Sequence, residues 1–140
     1  MFLNYLSEES KEDFLKLCVY AALSNEEFAE EEKEMLKEYC KEMNISDHIP
    51  STDGSVEVVL DNINKNAGIK EKKIIVLELL GLVKADGFFD NAEQEFMQKL
   101  VGKLGMNEDI MKHLNSLLDV YTVICKELYT NYIPNFRLSA

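Results

Sequence analysis

Three carboxylates crowd one short stretch of this chain. In "LVKADGFFDNAEQEF", residues 82–96, Asp86, Asp90 and Glu93 fall within eight positions at the end of an apolar run. Oxygen donors so closely spaced suit a hard divalent cation, with backbone carbonyls and water completing the shell. An EF-hand loop does not fit: counted from Asp86, the third ligand position is Phe88, the glycine position Asn91 and the twelfth Met97. The same residues also suit a helix junction. Gly87 can end one helix in a left-handed conformation, Asp90 can cap the next, and Glu93, three residues on, completes a capping box. The positive end of that second helix opposes a cation. Capping and cation binding both stay open on the residues alone.

The flanking pattern predicts an all-α protein. Ser10 with Asp13 resembles a capping box, and Phe14, Leu17, Cys18, Ala21 and Ala22 follow at helical spacing to a stop near Ser24-Asn25. A second helix spans about Ala29 to Met43. Residues 44–55, with Pro50, Gly54 and many Ser and Asp residues, have loop composition. A short helix from Val56 to Asn64 and a turn at Lys65–Gly68 lead to residues 70–85, apolar around nearly their whole circumference and therefore placed at the centre of the bundle. The next helix carries Phe96, Met97, Leu100, Val101 and Leu104 and ends at Gly105. The last, Asn107 to Tyr129, has Ile110, Leu114, Leu117, Leu118, Tyr121, Ile124, Cys125 and Leu128 in one register. The expected architecture is a single domain of six to seven helices, with a core over residues 10–129 and a tail over 130–140 packed against it.

A shift of 61 residues lays Phe14–Ile45 over Ile75–Met106. Only Phe28/Phe89, Glu32/Glu93 and Glu34/Glu95 are identical, yet the apolar positions coincide: Cys18 with Leu79, Met35 with Phe96, Tyr39 with Leu100 and Met43 with Leu104. Matched spacing predicts two helical hairpins related by an approximate two-fold axis.

Composition narrows the function classes. At 140 residues and 46% hydrophobic content the chain can bury a full core. Its formal net charge of -11 opposes binding to a phosphate backbone, so nucleic acid is not an expected partner. Cys18, Cys40 and Cys125 are widely spaced, without a CxxC pattern, and are expected as buried, reduced thiols. The N-terminal residues lack the basic start and apolar region of a signal peptide. The apolar run from Ile74 to Val83 is interrupted by Glu78 and falls short of the roughly 20 residues of a membrane span, so no membrane insertion is expected. A soluble, cytoplasmic protein follows as the expectation, with no oligomeric state specified by the pattern.

The stretch "LVKADGFFDNAEQEF", an apolar helix followed by Ala-Asp-Gly and a glutamate seven residues after the aspartate, resembles the TerB-like family linked to tellurite resistance. A similar domain begins some membrane-anchored DnaJ-type co-chaperones. The resemblance extends from about Phe14 to Leu128. It implies a pseudo-symmetric helical bundle in a stress or metal-related response, with Asp86 and Glu93 as ligands of a divalent cation and Glu32 as the first-repeat counterpart. Calcium, magnesium or manganese suits such ligands better than zinc. This chain departs from the family pattern in "LSNEEFAEEE", where Asn25-Glu26 replaces Asp-Gly and Ala29 stands at the position of Asp90. One site at the second repeat, with Glu32 or Glu31 reaching across, is therefore the expectation.

Other residues carry competing readings. Eight glutamates against three lysines in Glu26–Glu42 make either a solvated helix face or a docking surface for a basic protein partner. Glu78 either lies on the one wetted strip of its helix or lines a crevice shared with Asp86. His48 sits in a loop, and Asp109 with His113 could act as an acid–base pair, though without a third ligand or a nucleophile near it. No phosphate loop, glycine fingerprint or nucleophilic triad is present in the sequence. The expected function is a non-enzymatic binding module holding a cation at Asp86, Asp90 and Glu93. The alternative is an interaction domain that recruits a partner through its acidic face.

Overall fold

A computed structural model describes residues 2–24, 30–85 and 90–133. After a short 3-10 turn at Leu3–Tyr5 come α1 (Glu8–Leu23), α2 (Glu30–Glu42), α3 (Val56–Asn66), α4 (Ile69–Val83), α5 (Asn91–Lys103) and α6 (Glu108–Asn131). No strand occurs among the described residues. The protein is an all-helical bundle. One hydrophobic core joins all six helices, with Phe14, Leu17, Leu36, Ile63, Ile75, Leu79 and Met97 among its fully buried side chains. Burying each such side chain contributes roughly 1.5–3 kcal/mol.

As the all-round apolar pattern requires, α4 is central, touching α1, α5, α6 and the N-terminal turn. The α1 helix packs on α4 and also carries α3. Phe14 of α1 meets Tyr39 of α2 edge to face, with ring centroids 5.4 Å apart.

The 61-residue shift is borne out by the helix boundaries. It carries α2 onto α5 end for end, and the first residue of α1, Glu8, onto the first residue of α4, Ile69. The chain reversals repeat as well. Asn44 (φ 58°) follows α2 and Gly105 (φ 77°) follows α5, both in the left-handed region. In each case the next amide reaches back into the last turn: Ile45 donates to the Cys40 carbonyl and Met106 to that of Val101, both at 3.0 Å. These are two Schellman caps at equivalent positions.

The same shift extends beyond the two hairpins. It lays all of α3, Val56–Asn66, over Leu117–Glu127 of α6. The third helix of each unit thus has a counterpart, but the two are packed differently. In α3, Val59, Leu60 and Ile63 are 5%, 4% and 0% exposed. Their counterparts Val120, Tyr121 and Ile124 are 56%, 38% and 51% exposed. Instead, α6 rests on α4 and α5 through Leu118 and Cys125, a face rotated about 100° per residue step from those positions.

One local expectation needs correction. The cap of α1 is Ser7, one turn before the predicted Ser10, and its Oγ accepts from the Ser10 amide at 3.4 Å. A capping box would have the third helical residue take the amide of the cap. Here Glu71 of α4 does so, its Oε1 accepting from the Ser7 amide at 2.6 Å. A partner 64 residues away cannot be seen in a local window.

Candidate functional site

The start of α5 holds two of the predicted cation ligands. The Asp90 carboxylate accepts from the Glu93 amide at 2.8 Å, and Glu93 Oε1 accepts from the Asp90 amide at 3.3 Å. This is the reciprocal capping box that the sequence offered as the competing reading. Glu93 is buried and Asp90 half-buried. Each has spent one oxygen on a backbone amide. Glu32 occupies the third position of α2, as Glu93 does in α5, and is half-buried. Asp86 and Gly87, with Asn25 and Ala29 of the first unit, lie outside the described residues. Among the described residues, no group of three or more His, Cys, Asp or Glu side chains is arranged to hold a metal ion.

A second polar cluster was not anticipated. Three glutamates from two helices accept backbone amides of the N-terminal segment: Glu78 from Phe2 at 2.8 Å, Glu42 from Leu3 at 2.7 Å and Glu71 from Ser7 at 2.6 Å. Glu78 is fully buried, so neither a wetted strip nor an open crevice describes it. It takes the core position that Leu17 fills in the first unit. Burial pushes its carboxyl above the usual range, the Phe2 amide pulls it back, and nearby Glu42 adds to the rise. The Tyr39 hydroxyl donates to the Glu78 carbonyl at 3.4 Å, and burial holds that phenol well above its ordinary value. The arrangement anchors residues 2–7 to the bundle, with Glu78 fully buried beneath them.

The histidines separate cleanly. His48 lies between the Ser46 carbonyl and Glu12 Oε2, each at 2.8 Å, and so fastens the 44–55 loop to α1. The Ser46 carbonyl first, then Glu12, raise its pKa above 6.5. The Tyr20 hydroxyl adds a second tie to the same loop at the Gly54 carbonyl. His113 and Asp109 are both exposed on α6.

Three of the six glutamates of α2 pair with lysines one turn away, and the helix keeps a negative excess. Lys33 meets Glu30 at 3.3 Å, Lys37 meets Glu34 at 3.4 Å and Lys41 meets Glu38 at 3.6 Å. Each pair spans one turn in water, where such bridges contribute at most a few tenths of a kcal/mol. The three cysteines are free and buried, as expected.

The most distinctive surface lies on α6. Leu117, Val120, Tyr121, Ile124 and Leu128 are all exposed, as are Tyr132 and Ile133 just beyond the helix. The sequence placed Leu117, Tyr121, Ile124 and Leu128 in the same register as the buried Leu118 and Cys125. Two adjoining faces share that register, and only one meets the bundle.

No helix among the described residues is long and apolar enough to cross a membrane. Comparison of the chain with protein-family models, curated proteins and solved structures gives no match.

Proposed function

We propose that this protein is a non-enzymatic interaction module whose docking surface is the exposed apolar stripe of α6. The stripe's composition and extent support this reading. Leu117, Val120, Tyr121, Ile124, Leu128 and Tyr132 together offer on the order of 600 Å² of apolar surface, the upper end of what monomers expose. Large aliphatic and aromatic side chains with few charges between them are the composition of an interface core. The acidic face of α2 exposes few apolar side chains, which makes it the weaker docking surface.

A photo-crosslinking amino acid placed at position 124 in cells tests the reading. It should form a protein adduct, whereas the same group at Lys112, on the polar side of α6, should not. Absence of an adduct at 124 contradicts the proposal.

A second reading rests on the TerB resemblance: a divalent cation held by Asp86, Asp90 and Glu93, with Glu32 as the first-unit candidate, in a cytoplasmic stress or metal response. A cation binding the folded state would stabilise it by RT ln(1 + [L]/Kd). Titration with calcium, magnesium and manganese should then raise the melting temperature, and Asp86→Asn should abolish the rise.

A further inference from the structure

We propose that the occupant of the α6 stripe is a second copy of this chain, paired α6 to α6 in antiparallel orientation. This rests on reading the stripe as a docking surface and adds what docks there.

The internal repeat supplies the first argument. Val59, Leu60 and Ile63 of α3 are covered by the protein's own core, while Val120, Tyr121 and Ile124, their counterparts, are left open. A helix whose equivalent face is buried within the chain retains that apolar pattern where none of the described residues covers it.

Spacing supplies the second. Ile110, Leu114, Leu117, Tyr121, Ile124 and Leu128 follow at alternating intervals of four and three, the 3.5-residue period of a coiled-coil seam. Ile110 and Leu114 are partly buried against the bundle, and the last four are exposed. Antiparallel pairing about a two-fold axis between Thr122 and Val123 sets Leu117 of one copy against Leu128 of the other, and Tyr121 against Ile124. Each contact then occurs twice, as an isologous interface requires. Both remaining apolar faces of the helix pair stay on their own bundles.

Area and charge supply the third. A stable dimer buries roughly 800 Å² per partner, about 65% of it apolar in homodimers, which is close to what the stripe offers. Between Leu117 and Leu128 the charged residues are Asp119, Lys126 and Glu127, and Asp119 is engaged by Lys84 at 2.5 Å. The net charge of -11 therefore resides elsewhere, and two copies meet here without local repulsion. A basic partner would find few carboxylates on the stripe. An anionic membrane would find few lysines beside it and an acidic protein behind it.

Light scattering of the purified full chain across a wide concentration range should show the molar mass rising from 16.1 kDa towards twice that value. Ile124→Glu should hold the mass at one chain while leaving helicity unchanged and, at dilution where association is absent, the melting temperature equal to that of wild type. A short bis-maleimide should join Leu117→Cys to Leu128→Cys in a mixture, and should not join Leu117→Cys to itself. A wild-type mass fixed at one chain, a dimer that survives Ile124→Glu, or self-linking of Leu117→Cys would each overturn the proposal. A one-chain mass together with a cellular adduct at position 124 to a different protein would overturn self-pairing alone. Loss of that adduct would remove the docking surface as well.

Discussion

Ile63 and Ile124 occupy the same place in two successive units of this chain, 61 residues apart, and one is sealed in the core while the other is half in water. The difference arises from how the third helix of each unit is seated. The α3 helix lies on α1, and its Asn64 side chain donates to the Lys103 carbonyl at 2.8 Å, fixing it against the end of α5. The α6 helix is held by Lys84, which reaches Asn115 at 2.6 Å as well as Asp119, and turns a different edge inward. An apolar side chain thus keeps its register and changes its environment.

Glu78 should make the protein less stable as pH rises through the acid range. Its folded-state carboxyl is raised above 4.5, so the folded state holds the proton longer than the unfolded chain does. Stability is therefore fullest below that value and declines as pH passes through the folded pKa. Glu78→Gln keeps an oxygen for the Phe2 amide and removes the buried charge. Thermal unfolding between pH 4 and 8 should show the variant matching wild type at low pH and exceeding it at neutral pH.

His48 carries a smaller dependence with the same direction. Its pKa is raised above 6.5 by Ser46 and Glu12, so its contribution is complete below 6.5 and lost as pH climbs past the folded value. The pair is well exposed and worth tenths of a kcal/mol at most. His48→Gln should flatten the pH dependence of stability above 6.5 without altering the melting temperature at pH 8. Denaturant titrations at two pH values check this.

Asp90→Ala should cost about 1 kcal/mol, the usual loss on removing a cap, and Glu93→Ala should cost at least as much because its partner amide is half-buried. Urea unfolding in chelator and in excess calcium separates the roles. An equal loss in both conditions identifies capping; a loss that grows with calcium identifies an ion at the junction.

Much of this architecture was legible in the sequence. The apolar circumference of residues 74–83 placed α4 at the centre, Gly105 marked the end of α5, and Asp90 with Glu93 announced the capping box that opens that helix. Local chemistry of that kind is written in neighbouring residues. The tie of Ser7 to Glu71 was missed, and Glu78 was given a wetted strip or a crevice in place of its contact with Phe2, because these partners are 64 and 76 residues apart. The exposure of Ile124 was missed for another reason. Helical periodicity records which residues share a face, and α6 has two adjoining apolar faces within one register. The repeat was traced only to Ile45 and Met106, since a loop over 44–55 faces the first half of a helix in the second unit, and that mismatch hid the kinship of α3 and α6.

The paired substitutions Ile63→Ala and Ile124→Ala, compared by urea unfolding at dilution where association is absent, bear most directly on the docking surface. Ile63→Ala should cost about 2–5 kcal/mol, the range for a core isoleucine, and Ile124→Ala no more than about 0.5 kcal/mol. Equal, large losses at both positions would mean that α6 buries this face within its own chain, and the docking surface would not exist.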